Sequence, residues 1–209
     1  MKSAHWPPFK RNLVAILRGV KPDEILAIGD ALIEAGFEAI EIPLNSPHPF
    51  DSIHALAERA PANVWVGAGT VLSPENVDRL HEAGGQLLVT PNVDPQVLAR
   101  AAHHRMVSMP GVLSPTEALL ALKSGASALK FFPASLLGPA GISAVKAILP
   151  ADCVVGAVGG VSEVNFADYI KIGVRTFGLG SSLYKPGFNA AEVAKRAAIA
   201  VAAYDEADK

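Results

Sequence analysis

Eight short apolar runs, each followed by a longer amphipathic stretch, predict an α/β chain of the (β/α)8 TIM-barrel class. Two further observations support it. The runs are apolar on both faces, as in a parallel sheet covered by helices, and the alternation continues from Leu13 to the carboxyl terminus with no low-complexity break. An open doubly wound sheet is the competing arrangement, but eight successive units favour closure. The 209 residues are expected to form a single barrel domain over 1–209, with a short amino-terminal extension over 1–12. Because about 250 residues is typical of such barrels, the loops must be short.

The first run, residues 13–18, leads into Lys21-Pro22-Asp23-Glu24, a helix-start signal, and that helix stops at Gly36. The second run is 39–43. The third, 65–70, precedes Ser73-Pro74-Glu75, where a serine can cap free amides and proline pre-sets φ for the first turn; Gly84 ends the helix. The fourth run, 86–90, meets Asp94-Pro95, and the fifth, 106–110, meets Ser114-Pro115-Thr116-Glu117 with its stop at Gly125. The sixth is 128–133. The seventh, 154–159, is followed by Ser162-Glu163 and a stop at Gly173, and the eighth, 176–180, by an Ala-rich helix over 189–207 that closes the ring. Apolar pairs such as Val77, Leu80 and Leu119, Leu120 read as core packing.

Composition removes several functional classes. Half of the residues are hydrophobic and the formal net charge is -2 with no basic block, so no nucleic-acid partner is expected. The single cysteine, Cys153, excludes an intrachain disulfide, shows no zinc-ligand spacing and reads as a small core residue, in keeping with a reducing cytoplasm. Residues 1–12 contain no signal-like apolar run, and no stretch approaches the roughly 20 apolar residues that span a bilayer. The histidines at 5, 48, 54, 81, 103 and 104 lie away from strand ends and without metal-ligand spacing, so they read as surface or helix residues, and neither metal nor cofactor is expected.

In a parallel barrel, polar residues at the carboxyl ends of strands are candidates for function. Here they are Arg18, Glu41, Thr70, Thr90 and Lys130. Lys130 sits between apolar neighbours, Ala128-Leu129 before it and Phe131-Phe132-Pro133 after it. An ordinary lysine is neutral in only about one copy in 2,500 at pH 7, but desolvation can lower its pKa to roughly 7 or 8 and leave free amine to attack a carbonyl. The period of two along a strand groups Ala39, Glu41 and Pro43 on one face and Ile40 and Ile42 on the other, so Glu41 can point into the barrel; Ala128, Lys130 and Phe132 share a face in the same way. Each residue alone has a plainer reading: Lys130 could snorkel to water, Glu41 could pair in a buried ion cluster, and Thr70 and Thr90 could cap their own turns. Gly159-Gly160-Val161 and Gly178-Leu179-Gly180-Ser181-Ser182 place small residues after the last two strands, where such barrels commonly bind phosphate.

Several motifs together resemble a known family: Ile16-Leu17-Arg18-Gly19, the run from Glu41 to Pro47, the run from Gly67 to Leu72, Val89-Thr90-Pro91-Asn92, Leu129-Lys130-Phe131-Phe132-Pro133, Ala157-Val158-Gly159-Gly160-Val161 and Gly178-Leu179-Gly180-Ser181. From Leu13 to Tyr204 the chain resembles the bacterial class I aldolases that cleave 2-keto-3-deoxy-6-phospho sugar acids. The resemblance implies that Lys130 forms a Schiff base, that Glu41 moves protons, that Arg18 and Thr70 hold the carboxylate end of the substrate and that Gly160, Gly180 and Ser181 bind its phosphate. It also implies a homotrimer. Gluconate-type members carry Leu-Arg-Thr after the strand-two glutamate and Thr-Gly-Gly before the phosphate loop; this chain has Leu44-Asn45-Ser46 and Val158-Gly159-Gly160, which favours the galactonate type and makes Val158 a candidate for contact beside C4. Three rivals stand beside this reading. One is a gluconate or 4-hydroxy-2-oxoglutarate aldolase, the second an isomerase or decarboxylase in which Lys130 is only electrostatic, and the third a catalytically silent sugar-phosphate sensor.

Overall fold

The computed structural model describes residues 4–209, so the first three residues of the expected extension lie outside it. Nine parallel strands form one sheet: β1 (Leu13–Ile16), β2 (Ala39–Pro43), β3 (Trp65–Gly69), β4 (Leu87–Val89), β5 (Val107–Met109), β6 (Gly111–Val112), β7 (Leu129–Phe131), β8 (Val155–Val158) and β9 (Thr176–Leu179). Their spatial order is β5-β4-β3-β2-β1-β9-β8-β7-β6. The ninth strand is a correction to the eight expected. Pro110 has no N–H to give to a ladder and cuts the fifth run into β5 and β6. The ring still closes across this point, because the Thr90 amide donates to the Met109 carbonyl, the Gly111 amide to Thr90 and the Lys130 amide to Pro110. The result is the expected (β/α)8 barrel with one strand in two pieces.

The alternation of side chains produces two cores. Leu13, Ala15, Ile40, Ile42, Val66, Ala68, Leu129, Phe131, Phe177 and Leu179 face outward and pack with the helices. Val14, Ala39, Leu87, Val89, Val107, Met109 and Ala128 fill the barrel itself. Residues 4–12 do not trail away from the domain: Ala4, Trp6 and Phe9 pack against this inner cluster. Trp6 meets Phe9 edge to face, and its indole N–H donates to Asn12 Oδ1 at 2.8 Å.

The helices are α1 (Ile25–Ala35), α2 (Pro49–Arg59), α3 (Pro74–Glu82), α4 (Pro95–His103), α5 (Pro115–Lys123), α6 (Ala134–Lys146), α7 (Phe166–Ile170) and α8 (Ala190–Ala207). Ser73, Asp94 and Asn189 accept amides of their first turns, and Ser114 forms a reciprocal capping box with Glu117. Gly36, Gly84, Gly125 and Gly173 adopt the left-handed backbone expected after a helix. Two starts differ. Lys21 to Glu24 forms a turn and α1 begins at Ile25, with no side-chain cap. Ser162 does not cap α7; Asn165 precedes that helix, and its amide group bridges the Ser162 N–H and the Gly160 carbonyl.

Val77 and Leu80 are buried as expected, but Leu119 and Leu120 are 48% and 38% exposed. The small residues Ala118 and Ala121 form the buried face of α5 instead. Cys153 is half-buried beside the outer core, and burial raises its thiol pKa to about 11.

Candidate active site

Glu41 and Lys130 are inside the barrel, 3% and 6% exposed, on the face that their strand parity assigns them. Neighbours of each, Ile40 and Ile42 on β2 and Leu129 and Phe131 on β7, belong to the outer core and fix that direction. Desolvation dominates both titrations. It raises the Glu41 carboxyl to about 7 and lowers the Lys130 ammonium to about 8, against the mutual attraction of the two groups; Arg18 lowers both. Lys130 Nζ lies 4.9 Å from the centre of the Phe132 ring. Oε2 of Glu41 is buried without a hydrogen-bond partner, unusual for a carboxylate oxygen in a fold that satisfies most of its polar groups. An amine near neutrality and a carboxyl that can hold a proton at pH 7 are what imine formation and proton transfer need.

Arg18 lies in the turn two residues beyond the end of β1, which stops at Ile16 rather than at Arg18. Its Nη1 donates to Asn45 Oδ1 at 2.5 Å, and the Gly19 amide donates to the buried Ser46 hydroxyl at 2.9 Å. The loops after β1 and β2 are therefore tied together above the barrel. Asn45 and Ser46 stood out in the sequence as subfamily markers; their role as partners of Arg18 and Gly19 needed the fold.

The two threonines diverge. Thr90 is buried, and its hydroxyl donates to the Asn92 carbonyl at 2.5 Å, the turn-capping use that was its plainer reading. Thr70 is half-buried at φ 56°, a left-handed conformation that a β-branched residue rarely takes and that often marks a functional loop.

Above β8 and β9 opens a cavity of about 620 Å³ whose walls include Arg18, Phe132, Val158, Gly160, Gly180 and Ser181. It brings five of the expected site residues to one space. Lys130 and Glu41 are not on its walls, but Phe132, which is, lies with its ring centre 4.9 Å from Lys130 Nζ; Thr70 and Thr90 stand on the β3 and β4 side, also off its walls. Gly159 and Gly160 both have positive φ, and a side chain on Gly160 would collide with Ser135. Gly180 is different: it has no positive φ, and a Cβ there would meet nothing. Its lack of a side chain leaves the backbone open to the cavity. Lys185 also lines the space and has no ion-pair partner among the described residues. It follows the glycine loop as one surface lysine among many, and nothing in the sequence distinguished it.

Among the described residues, no group of three or more His, Cys, Asp or Glu is placed to hold a metal ion, and no helix is long and apolar enough to cross a membrane. Fold and site define a barrel enzyme with a buried, desolvated lysine in its interior. Comparison with known proteins gives the particular family. The chain belongs to the KDPG and KHG aldolase family, whose model matches residues 9–203, and it is therefore a lyase. It is 61% identical over 199 residues to a probable 2-dehydro-3-deoxy-6-phosphogalactonate aldolase of Rhizobium meliloti (strain 1021), covering 95% of this chain and 94% of the relative. To the 2-dehydro-3-deoxy-6-phosphogalactonate aldolase of Escherichia coli (strain K12) it is 50% identical over 198 residues, with 95% and 97% covered. A solved structure described as native KDPGal superposes with a TM-score of 0.94 at 49% identity, covering 97% of this chain and 98% of that one.

Proposed function

We propose that this chain is a class I aldolase that cleaves 2-dehydro-3-deoxy-6-phospho-D-galactonate to pyruvate and D-glyceraldehyde 3-phosphate. The observation that carries the reading is the buried pair of Lys130 and Glu41, each pushed toward its neutral form, with Lys130 beside the Phe132 ring that lines the cavity. The Lys130 amine attacks the C2 carbonyl, and loss of water gives a protonated imine. Glu41 takes the proton of the C4 hydroxyl, directly or through a water, as the C3–C4 bond breaks. The bonding pair passes into the imine to form an enamine, and the aldehyde leaves. Glu41 then returns a proton to C3, and water releases pyruvate. Arg18 and Thr70 are assigned to the carboxylate end, and Gly160, Gly180 and Ser181 to the phosphate. Thr90 is assigned to the β4 rim of the site, with its hydroxyl committed to its own turn.

The two epimeric sugar acids differ only at C4, so clamps on carboxylate and phosphate grip both alike. Val158 is the candidate discriminator. It is 7% exposed on the cavity wall and packs against Gly178, where threonine has nearly the same shape. A hydroxyl at 158 could hydrogen-bond the gluco orientation of the C4 hydroxyl, which is worth roughly 0.5 to 1.5 kcal/mol, or about 2- to 12-fold. Wild-type enzyme is expected to prefer the galacto substrate by kcat/KM, and Val158→Thr to shift toward the gluco epimer within that range. A wild-type preference for gluco, or no shift in the variant, would remove Val158 from the assignment.

The working unit we propose is a cytoplasmic homotrimer, in line with the family resemblance. Supporting it, Leu72, Leu113, Leu119, Leu120 and Leu136 are all at least 36% exposed along the sector from β3 to α6. Light scattering on enzyme recovered from the cytosolic fraction should give the mass of three chains; a monomer mass, or recovery from the periplasm, would contradict it.

A further inference from the structure

We propose that Gly69 is a positioning residue for Glu41: the absent side chain at the end of β3 is the seat in which the Glu41 carboxylate rests. The proposal builds on the reading that Glu41 carries protons. In the β2/β3 ladder Glu41 pairs with Gly67 and Pro43 with Gly69, so a side chain leaning along β2 toward its carboxyl end comes over Gly69. A Cβ built on Gly69 would stand 2.0 Å from Glu41 Oε2 and 2.5 Å from both Cδ and Oε1, far inside van der Waals contact. Its three nearest atoms all belong to that one carboxylate.

Neighbouring glycines show why this differs from ordinary barrel packing. A Cβ on Gly67 would meet the Leu87 carbonyl oxygen at 1.8 Å, and one on Gly111 would meet the Pro91 carbonyl oxygen at 2.4 Å. Those obstacles are backbone and cannot step aside, so both glycines serve the fold. At Gly69 the obstacle is the end of a flexible side chain, and the backbone is not left-handed. An added methyl is thus tolerable to the barrel and displaces only the carboxylate. Oε2, the atom struck first, is the one that is buried without a hydrogen bond. Shape, rather than a polar partner, holds it in place.

The test is Gly69→Ala, with Glu41→Gln and Glu41→Asp made in parallel. Gly69→Ala is expected to keep its melting temperature and its pyruvate adduct on Lys130, with KM little changed. Its kcat should fall roughly 10- to 100-fold, the cost of misplacing a reacting group by about 1 Å. The acidic limb of its pH profile should move down, because a carboxylate turned toward water regains solvation. A purely structural glycine would lower the yield or the melting temperature and leave that limb unmoved. Glu41→Asp shortens the side chain by one methylene and withdraws the carboxylate from the seat, so Gly69→Ala should cost far less in that background than in wild type. Additive losses, or a folded Gly69→Ala enzyme with wild-type turnover, would overturn the proposal. If Glu41→Gln loses its activity while Gly69→Ala keeps it, only the role of Gly69 fails; full activity in Glu41→Gln removes the proton-carrying role and the Gly69 assignment with it.

Discussion

Lys130→Ala is expected to reduce cleavage to background and to abolish reductive trapping of pyruvate, with the barrel still folded. No other described lysine is buried in the barrel interior, so no second amine can take over the attack. Because burial lowers the Lys130 pKa to about 8, adduct formation in wild type should rise with pH through a midpoint near 8 and level off above it. An unperturbed lysine would still be climbing above pH 10. The variant should also show a particular stability profile. Without Lys130 the Glu41 carboxyl loses the cation that lowers its pKa, so it stays protonated to higher pH in the folded state than in the unfolded chain. A folded pKa above the unfolded one means that the native state binds the extra proton. Stability should then fall as pH rises from about 4.5 through the folded value. A melting temperature lower at pH 8 than at pH 6 is the expected sign. Near-normal turnover in Lys130→Ala would sink the Schiff-base mechanism.

Glu41→Gln is the second large effect. Glutamine keeps the shape of the side chain and removes its proton exchange, so imine formation should persist while turnover falls roughly 10²- to 10⁴-fold, the range for a positioned acid or base. The wild-type carboxylate raises the Lys130 pKa by its charge, so the trapping midpoint of the variant should move below 8. Loss of the adduct in parallel with turnover would instead make Glu41 a structural partner of Lys130.

Much of this arrangement was legible in the sequence because one physical rule, the period of two along a strand, sets which side chains enter the barrel. It placed Glu41 and Lys130 inside and their isoleucine, leucine and phenylalanine neighbours outside. Helix caps at Ser73, Asp94 and Ser114 were equally readable, since a cap is a local contact over three residues. The failures are tertiary. Leu119 and Leu120 suit the core by composition, yet α5 turns Ala118 and Ala121 inward and leaves both leucines exposed, and which face of a helix meets the sheet is set by its docking. The break at Pro110 depends on which neighbour needs the missing amide, and the Arg18 to Asn45 bond joins residues 27 apart in sequence. The seat beneath Glu41 was beyond reach for the same reason: Gly69 looked like one more strand glycine until the register of β2 and β3 put a carboxylate over it.

The assignment of Lys130 as the nucleophile is tested most directly by reducing a mixture of the wild-type protein and pyruvate with borohydride, digesting it and mapping the modified peptide by mass. The expected product is a single reduced pyruvyl adduct on Lys130, about half formed near pH 8, approaching its plateau above that, and absent when borohydride or pyruvate is omitted. An adduct on a different lysine, or none from a preparation that cleaves its substrate, would contradict the mechanism.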